Sequence, residues 1–158
     1  MTKRPWNIPN LPIYSLQTIS KQGVLNFNIC TYVSAVSMKP KRFMVAVYKG
    51  TQTLENLKST QVVNLLLLSK SNIEYVRLFG KRSGRDVEKF SKIKEETLNF
   101  GSLPVFTSAI AVMQLQIVSS LDAGDHIMYL FDVLKFKHLR GEEPLYLQDL
   151  REKNIISI

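Results

Sequence analysis

The chain has 158 residues, of which 45% are hydrophobic, and this length and composition fit one ordinary globular domain and exclude a disordered chain. Its 21 Lys and Arg residues against 13 Asp and Glu residues give a formal net charge of +8, which favours phosphates, nucleotides, nucleic acid or anionic surfaces as partners. The single cysteine, Cys30, excludes an internal disulfide, and two histidines leave a zinc site poorly supplied with ligands. We therefore expect a reduced, cytoplasmic protein without a structural metal.

The sequence carries no signal of secretion or of membrane insertion. Residues 1–10 are rich in proline and asparagine and contain no continuous apolar run of signal-peptide length. The richest apolar runs, 62–68 and 109–118, are far shorter than the roughly 20 residues that span a bilayer. Because no linker or repeat divides the chain, we expect a single domain over residues 1–158, with residues 1–10 as an irregular lead-in and no contact with a membrane.

In chain order, the segments rich in β-branched and aromatic residues predict six strands, at 13–19, 27–37, 43–48, 62–68, 105–118 and 126–136. Segment 43–47 is continuously apolar, as in a strand buried on both faces, whereas 112–118 alternates, as in a wall with one wetter side. Helical spacing predicts three short helices, at 53–60, 71–79 and 85–93, with Thr53 and Ser71 as N-caps. The fold class is therefore mainly β, a closed or partly closed β-barrel with short helices.

The connection from strand 43–48 to helix 53–60 is typical of an anion site, because a glycine turn leads directly into a helix start. Lys49, Thr51 and Thr53 would add donors to the free N–H groups there. Plain capping by Thr53 is the commoner use of such a residue, so the local sequence alone favours capping.

Polar side chains interrupt the predicted strand 27–37, where Asn28, Thr31, Ser34 and Ser37 lie among apolar residues. Buried hydroxyl and amide groups are unfavourable unless they are hydrogen-bonded. A polar ligand would supply such partners, and so would backbone carbonyl groups or water.

Two further segments carry candidate groups. The loop 80–86 is basic and contains two glycines, so that Arg85 either binds an anionic oxygen in bidentate fashion or is simply solvated. Before the last predicted strand, Asp125 either orients the imidazole of His126 or only serves the turn.

In order and spacing, these four segments resemble the flavin reductase-like family of FMN-binding split-barrel proteins. The residues that carry the resemblance are 28–37 with Met38-Lys39-Pro40, 49–56, 83–87 with Lys89-Phe90, Leu103-Pro104-Val105 and Gly124-Asp125-His126. The resemblance implies an antiparallel, Greek-key split barrel that forms a homodimer and holds FMN noncovalently near the subunit interface.

The resemblance also implies roles for individual residues. Those expected to line the flavin ring and its ribityl chain are Asn28, Thr31, Ser34, Ala35, Val36 and Ser37, partly through backbone amides. Those expected at the ribityl-phosphate end are Lys49, Thr53, Asn56 and Arg85. His126 is expected to bind beside the isoalloxazine, on the nicotinamide side, as the catalytic residue.

Three functions follow from these expectations. The first is an NAD(P)H:flavin oxidoreductase that binds FMN, with FAD as the other flavin, and that serves a monooxygenase or another redox protein. The second is a flavoredoxin-like electron-transfer protein that keeps FMN without oxidising NAD(P)H. The third, a basic nucleic-acid-binding barrel, needs exposed aromatic residues among its basic ones, whereas Phe43, Tyr48 and Phe136 lie in patterns that predict burial. We therefore expect no nucleic-acid partner.

Overall fold

A computed structural model describes residues 3–157 of the chain. Its strands are β1 (Tyr14–Ile19), β2 (Leu25–Phe27), β3 (Val33–Met38), β4 (Lys41–Tyr48), β5 (Val62–Leu67), β6 (Thr97–Phe100), β7 (Leu103–Phe106), β8 (Ala111–Asp122) and β9 (His126–His138). Its α-helices are α1 (Gln52–Leu57), α2 (Tyr75–Lys81) and α3 (Leu147–Glu152), and shorter 3₁₀ turns lie at Pro5–Asn7, Lys70–Glu74 and Phe90–Lys92. Within residues 3–157, no helix has the length and apolar character needed to cross a membrane. Residues 1–2 of the expected lead-in lie outside this range.

Seven of the strands form one antiparallel sheet in the order β2-β1-β5-β8-β9-β4-β3. The sheet closes on itself because the chain between β2 and β3 pairs with β1 near one end of the strand order and with β4 near the other. Tyr14 and Cys30 exchange two backbone hydrogen bonds of 2.9 Å, and the N–H of Ala46 donates to the carbonyl of Tyr32 at 2.9 Å. The mainly β, antiparallel barrel with short helices that the sequence predicts is confirmed.

Two apolar cores lie on opposite sides of the barrel wall. Alternation along β5 separates them, since Val63 and Leu65 point into the barrel, whereas Leu66 and the adjoining Leu68 point outward. The barrel interior holds, among others, Leu16, Val45, Leu115 and Phe131. The outer core is covered by α2, the β6–β7 hairpin and α3, which contribute Phe79, Phe106 and Leu150.

At the outer core, backbone hydrogen bonds around Leu145 join distant parts of the chain, and we call this junction the seam at Leu145. Leu145 is fully buried, its N–H donates to the carbonyl of Leu68 at 2.9 Å, and its own carbonyl accepts from Ile13 at 2.8 Å. Two residues further on, the N–H of Leu147 donates to the carbonyl of Leu11 at 3.0 Å. The segment before α3 therefore pairs with the residues that flank β1 and β5, at Ile13 and Leu68.

Helix α1 packs across one end of the barrel, where Leu54 and Leu57 contribute to the interior core. The predicted N-cap, Thr53, is wrong: Thr51 caps the helix, accepting a hydrogen bond from the N–H of Leu54 at 3.3 Å. Thr53 instead points into the fold, because its buried hydroxyl accepts a hydrogen bond from Asn26.

The predicted strand 27–37 is interrupted, and side-chain chemistry explains the break. The Oδ1 atom of Asn28 accepts the hydrogen bond of the Leu16 N–H at 2.8 Å, and it does so in place of a backbone carbonyl. The segment therefore departs from β1 at Asn28, pairs with β1 once more at Cys30, and then continues along β4 as β3. Similarly, the predicted strand 105–118 is divided into β7 and β8 by a turn.

The predicted helix 85–93 is wrong, since only the turn Phe90–Lys92 forms there. The side chain of Lys89 instead reaches inward to the backbone carbonyls of Phe27 and Phe79. The predicted helix 71–79 consists of a 3₁₀ turn followed by α2. It begins after Ser69 rather than Ser71, since Ser69 forms the capping box with Asn72.

We expect the interior of the barrel to dominate stability. Phe131 and Phe136 lie on the same strand, β9, but Phe131 is fully buried whereas Phe136 is 57% exposed. Phe131→Ala should lower the free energy of unfolding by about 3–5 kcal/mol, because it removes the buried ring and leaves a cavity. Phe136→Ala should change it by less than about 0.5 kcal/mol. Urea unfolding of both variants measures the difference, and equal losses would contradict this assignment of the core.

Candidate functional site

Three of the four candidate segments meet at one cleft of about 230 Å³, which we call the first cleft. Its lining includes Asn26 and Asn28 from β2 and the break after it, Tyr48 to Thr53 at the start of α1, and the end of α2 with the loop after it, from Gly80 to Gly84. The residues brought together here are separated by up to about 60 positions in the chain, so only the fold makes them neighbours. The cleft is the best-supported candidate site.

Asn26 forms the inner wall of the first cleft and has an unused acceptor. The residue is 3% exposed, and its Nδ2 donates to Thr53 Oγ1 at 3.0 Å. No donor in the described part of the chain reaches its Oδ1. A Cβ added at Gly84 would overlap this oxygen, so the glycine allows the loop to approach it closely. Since a buried acceptor without a partner is costly, the wall is suited to a ligand that donates a hydrogen bond.

Lys89 lies at the base of the first cleft and is 3% exposed. Its Nζ donates to the carbonyls of Phe27 at 2.5 Å and Phe79 at 2.8 Å. Burial lowers the pKa of Lys89 from its usual 10.5 to about 8. Because this pKa lies above 7, Lys89 remains cationic at neutral pH. A protonated amine has three N–H donors, so Lys89 has one donor beyond the two that bind these carbonyls.

The outer rim of the first cleft is cationic. Lys81, the last residue of α2, and Arg82, which follows it, are exposed, and Ser83 adds a hydroxyl beside them. The helix start opposite contributes the side chains of Thr51 and Gln52. Together with Lys89, these groups offer cationic and neutral donors to an anion that also carries hydroxyl groups.

A second cleft, of about 410 Å³, adjoins the first and shares Asn26, Gln52 and Gly84 with it. Arg85, which the sequence places near a phosphate, is exposed and lines the second cleft. Asn56 also lines it, but Asn56 is buried and its amide is occupied, donating to Thr18 Oγ1 at 2.9 Å and accepting from Gln52 at 2.7 Å. Asn56 therefore holds the wall between the clefts.

Lys49 does not line either cleft. Its Nζ forms an ion pair with Asp122 at 2.8 Å, and its backbone N–H donates to the carbonyl of Asp125 at 2.9 Å. Lys49 therefore fastens the β4–α1 connection to the β8–β9 turn.

The expected ring-lining residues lie along β3, which is an edge of the sheet. Ser34, Ala35 and Val36 are exposed, Ser37 is half-buried, and the pairing with β4 shifts between Ala35 and Ser37. In the part of the chain that the structure describes, no strand pairs with the other side of β3. Its outward backbone N–H groups therefore have no strand partner and are available to a planar ligand with ring heteroatoms, whereas the carbonyl of Ala35 accepts from Ser34 Oγ at 3.1 Å. Thr31, just before β3, is half-buried.

His126 begins β9 opposite Tyr48 of β4. Its Nδ1 lies 2.6 Å from Asp125 Oδ1, and its ring centroid is 5.3 Å from those of both Tyr32 and Tyr48. Tyr48 also lines the first cleft, so this aromatic cluster adjoins it. The expected burial of Tyr48 and Phe136 is wrong, as 56% and 57% of these residues are exposed.

The Cys30 thiol is buried and stays protonated at neutral pH. The thiol is buried against the carbonyl of Tyr14 and Asn28 Oδ1, and burial raises its pKa to about 12. The thiolate that redox or nucleophilic chemistry requires is therefore not formed.

Another cavity, of about 570 Å³, lies elsewhere, between the end of β5 and the β9–α3 connection. Its buried polar groups satisfy one another: Ser69 Oγ donates to the carbonyl of Ser108 at 2.6 Å, and Asn72 donates to Ser108 Oγ at 2.6 Å. Glu95 accepts from both the N–H and the hydroxyl of Ser108. The buried polar groups of this cavity are therefore hydrogen-bonded to one another, as is typical of a structural junction between parts of a fold.

Sequence reasoning missed Asn26 and Gln52 and gave Lys89 no role. The alternation Leu25-Asn26-Phe27-Asn28 was a usable signal, because it puts two amides in an apolar segment. Lys89 had no local signal, since its importance comes from carbonyl groups 62 and 10 residues away.

Residues 11–155 match the family model described as the flavin reductase like domain. Among curated proteins, the ferric-chelate reductase (NAD(P)H) of Archaeoglobus fulgidus is 25% identical over 122 residues, covering 77% of this chain and 72% of that protein. Diflavin flavoprotein A 1 of Synechocystis sp. is 29% identical over 111 residues, covering 69% of this chain and 19% of that protein. The chain thus spans about a fifth of the length of the diflavin flavoproteins that it matches.

Among solved structures, the styrene monooxygenase flavin reductase of Pseudomonas putida S12 has a TM-score of 0.75 and 20% sequence identity. The alignment covers 87% of this chain and 86% of that one. At this level of identity the likeness shows a shared fold.

The buried amine of Lys89 should make stability depend on pH. Between about pH 8 and pH 10.5, the unfolded chain holds a proton on Lys89 that the folded chain has released, so the contribution of Lys89 to the free energy of unfolding should rise with pH. We expect the difference in unfolding free energy between the natural protein and Lys89→Met to increase from pH 7.5 to pH 10, measured by urea unfolding. A difference that stays flat would contradict the buried, proton-releasing amine.

Proposed function

Because the chain belongs to the flavin reductase-like family, we propose that it is an NAD(P)H-dependent flavin reductase that binds FMN along the first cleft and β3. The observation that carries this proposal is the composition of the cleft wall. The buried, unpartnered Asn26 Oδ1 faces a rim of cationic and hydroxyl donors. FMN combines hydroxyl groups, which donate hydrogen bonds, with a phosphate dianion, which accepts them, so this donor and acceptor set fits it.

We assign the phosphate end of FMN to the rim. Lys81, Arg82, Thr51 and Ser83 would hold the phosphate, with Arg85 reaching it across the shared wall. Asn26 Oδ1 would accept from a ribityl hydroxyl. Three residues named from the sequence would act indirectly: Thr53 and Asn56 hold the wall, and Lys49 holds the neighbouring turn.

We assign the ring end of FMN to the edge of β3. The free backbone N–H groups there, from Ser34 to Ser37, would meet the polar edge of the isoalloxazine, with Asn28 and Thr31 at the join to the ribityl chain. FAD shares this ring and ribityl chain, and the second cleft leaves space beside the phosphate position.

When bound, FMN supplies the hydride-accepting chemistry that the side chains themselves lack. The chain would orient the two reactants and exclude water from them. Asp125 fixes the tautomer and orientation of His126 through Nδ1, leaving Nε2 as the free polar atom of the aromatic cluster. We propose that this Nε2 contacts NAD(P)H, with Tyr32 and Tyr48 holding the imidazole in place.

We propose a homodimer formed through the outer face of β4 and β9. Val45 and Val47 point into the barrel, so Met44 and Ala46 point outward, where they pair with Leu130 and Met128. This apolar face is suited to a second copy of itself. Sedimentation of the protein at the mass of two chains is the expected result. A monooxygenase or another redox protein would take the electrons, and the need for NAD(P)H favours the cytoplasm.

The first test is flavin binding and reduction. Titrated with FMN, the protein should bind it and change its absorption spectrum, and anaerobic NADH or NADPH should then bleach the flavin bands. Bound flavin that neither nucleotide reduces would favour the electron-carrier function instead. Failure to bind FMN and FAD would overturn the cofactor assignment. Gly84→Ala should weaken FMN binding at least about tenfold, because the added Cβ displaces the Asn26 wall, whereas Ser102→Ala, in the exposed β6–β7 turn, should not.

His126 should affect reduction rather than flavin binding. His126→Gln should lower the rate of flavin reduction by NAD(P)H roughly 100-fold, with the FMN dissociation constant unchanged, because the imidazole contacts the reductant and not the phosphate end. The matched control is His138→Gln, at the exposed far end of the same strand. Stopped-flow absorbance measures the rate. A normal rate in His126→Gln would remove the catalytic role.

A further inference from the structure

Exposed apolar side chains lie beside lysines at the end of the barrel farthest from the first cleft. Met38 ends β3 and is 83% exposed, whereas Leu134 and Phe136, near the end of β9, are 48% and 57% exposed. Most large apolar residues in the described chain are buried in the two cores. We call the side chains of Met38, Lys39 and Lys41 from segment 38–41, with those of Leu134 and Phe136 from segment 134–136, the Lys–Phe patch.

The strand register brings the two segments together. Pairing between β4 and β9 begins at Arg42 and Asp132, and β9 continues beyond it as far as His138. Lys41 then reaches back over β9, where its Nζ lies 5.9 Å from the centroid of the Phe136 ring. Leu134 falls where the β8–β9 pairing shifts, and such a bulge re-aims a side chain.

The patch has positive charge without counter-ions. Lys39 and Lys41 are exposed, and neither is within ion-pair distance of a carboxylate in residues 3–157. The one carboxylate in these strand ends, Asp132, is paired with Arg42 at 2.8 Å. Lys135 and Lys137 lie on the other face of β9 from Phe136 and do not contribute to the patch. Positive charge without a counter-ion favours a partner that brings negative charge.

We propose that the Lys–Phe patch docks a partner protein whose surface carries carboxylates around an apolar centre. An apolar centre with a charged rim is the usual composition of a protein interface, in which methionine and aromatic residues are enriched. Single-stranded nucleic acid needs successive aromatic rings for its bases, and here the centre has one ring, Phe136, beside two aliphatic side chains. The composition of the patch therefore favours an acidic protein over a nucleic acid.

The patch is separate from the first cleft. Lys41 and Tyr48 lie at opposite ends of β4, seven residue steps apart, which is about 23 Å in an extended strand. A protein docked on the patch would leave the cleft open to small molecules. The inference does not depend on the proposed reductase activity, because it rests only on charge and exposure.

The test uses the full chain and a fluorescein-labelled peptide of glutamates flanking a central Leu-Trp-Leu. A second peptide has serines at the centre, and labelled oligothymidine is the third probe. Fluorescence anisotropy at low and physiological ionic strength should show tighter binding of the Leu-Trp-Leu peptide, weakened by salt. Phe136→Ser should weaken this binding about tenfold or more. Lys39→Gln with Lys41→Gln should weaken it and reduce its salt dependence.

The matched control is Lys21→Gln with Lys94→Gln, which removes the same charge from exposed sites elsewhere and should leave binding unchanged. The proposal fails if the serine peptide binds as tightly, if the control pair weakens binding as much as the patch pair, or if Phe136→Ser has no effect. Tighter oligothymidine binding that depends on Phe136 would assign the patch to nucleic acid.

Two checks complete the test. If Phe136→Ser converts a dimer to a monomer in sedimentation, the patch is an interface between copies of this chain and the proposal is wrong. If Phe136→Ser does not fold, as judged by circular dichroism, Met38→Ser takes its place, since Met38 is the most exposed apolar residue of the patch.

Discussion

The architecture depends on one side chain that replaces a backbone partner. By accepting the hydrogen bond of the Leu16 N–H, Asn28 Oδ1 allows the chain to leave β1 without exposing an unsatisfied donor. The same segment can then pair with β1 through Cys30 and with β4 through Tyr32, which closes the barrel. Asn26 lies two residues before this break, in the wall of the first cleft, and β3 follows the break as an edge strand.

The sequence predicts those elements whose identity is fixed by local periodicity. The fold class, strands 43–48 and 62–68, and the cationic loop 80–86 all follow from runs of residues that interact with their immediate neighbours. Two of the failures, the unbroken strand 27–37 and the helix 85–93, share a cause. In each, a polar side chain forms its decisive hydrogen bond with distant backbone, 12 residues away for Asn28 and 62 for Lys89. No local pattern contains that information.

The same distinction between local sequence pattern and distant hydrogen bonds applies to the candidate site. The sequence located its segments correctly enough for three of them to meet at one cleft, but it assigned direct contacts to polar side chains that have protein partners. Thr53, Asn56 and Lys49 are used by Asn26, Thr18 and Asp122. Residue type indicates which groups are able to bind an anion, whereas the hydrogen bonds show which of them remain free to do so. Asn26 Oδ1 is identified only by the second criterion.

The seam at Leu145 has a consequence for the order in which the molecule folds. Ile13 and Leu145 are partners across most of the chain, and Leu145 also bridges to Leu68. Closing so long a loop is entropically costly and slows folding, so the barrel strands, whose partners are mostly nearer in sequence, would form before this seam. During synthesis, the outer core must wait until Leu145 has left the ribosome. Until then, the ends of β1 and β5 that Leu145 covers, at Ile13 and Leu68, stay open to other chains.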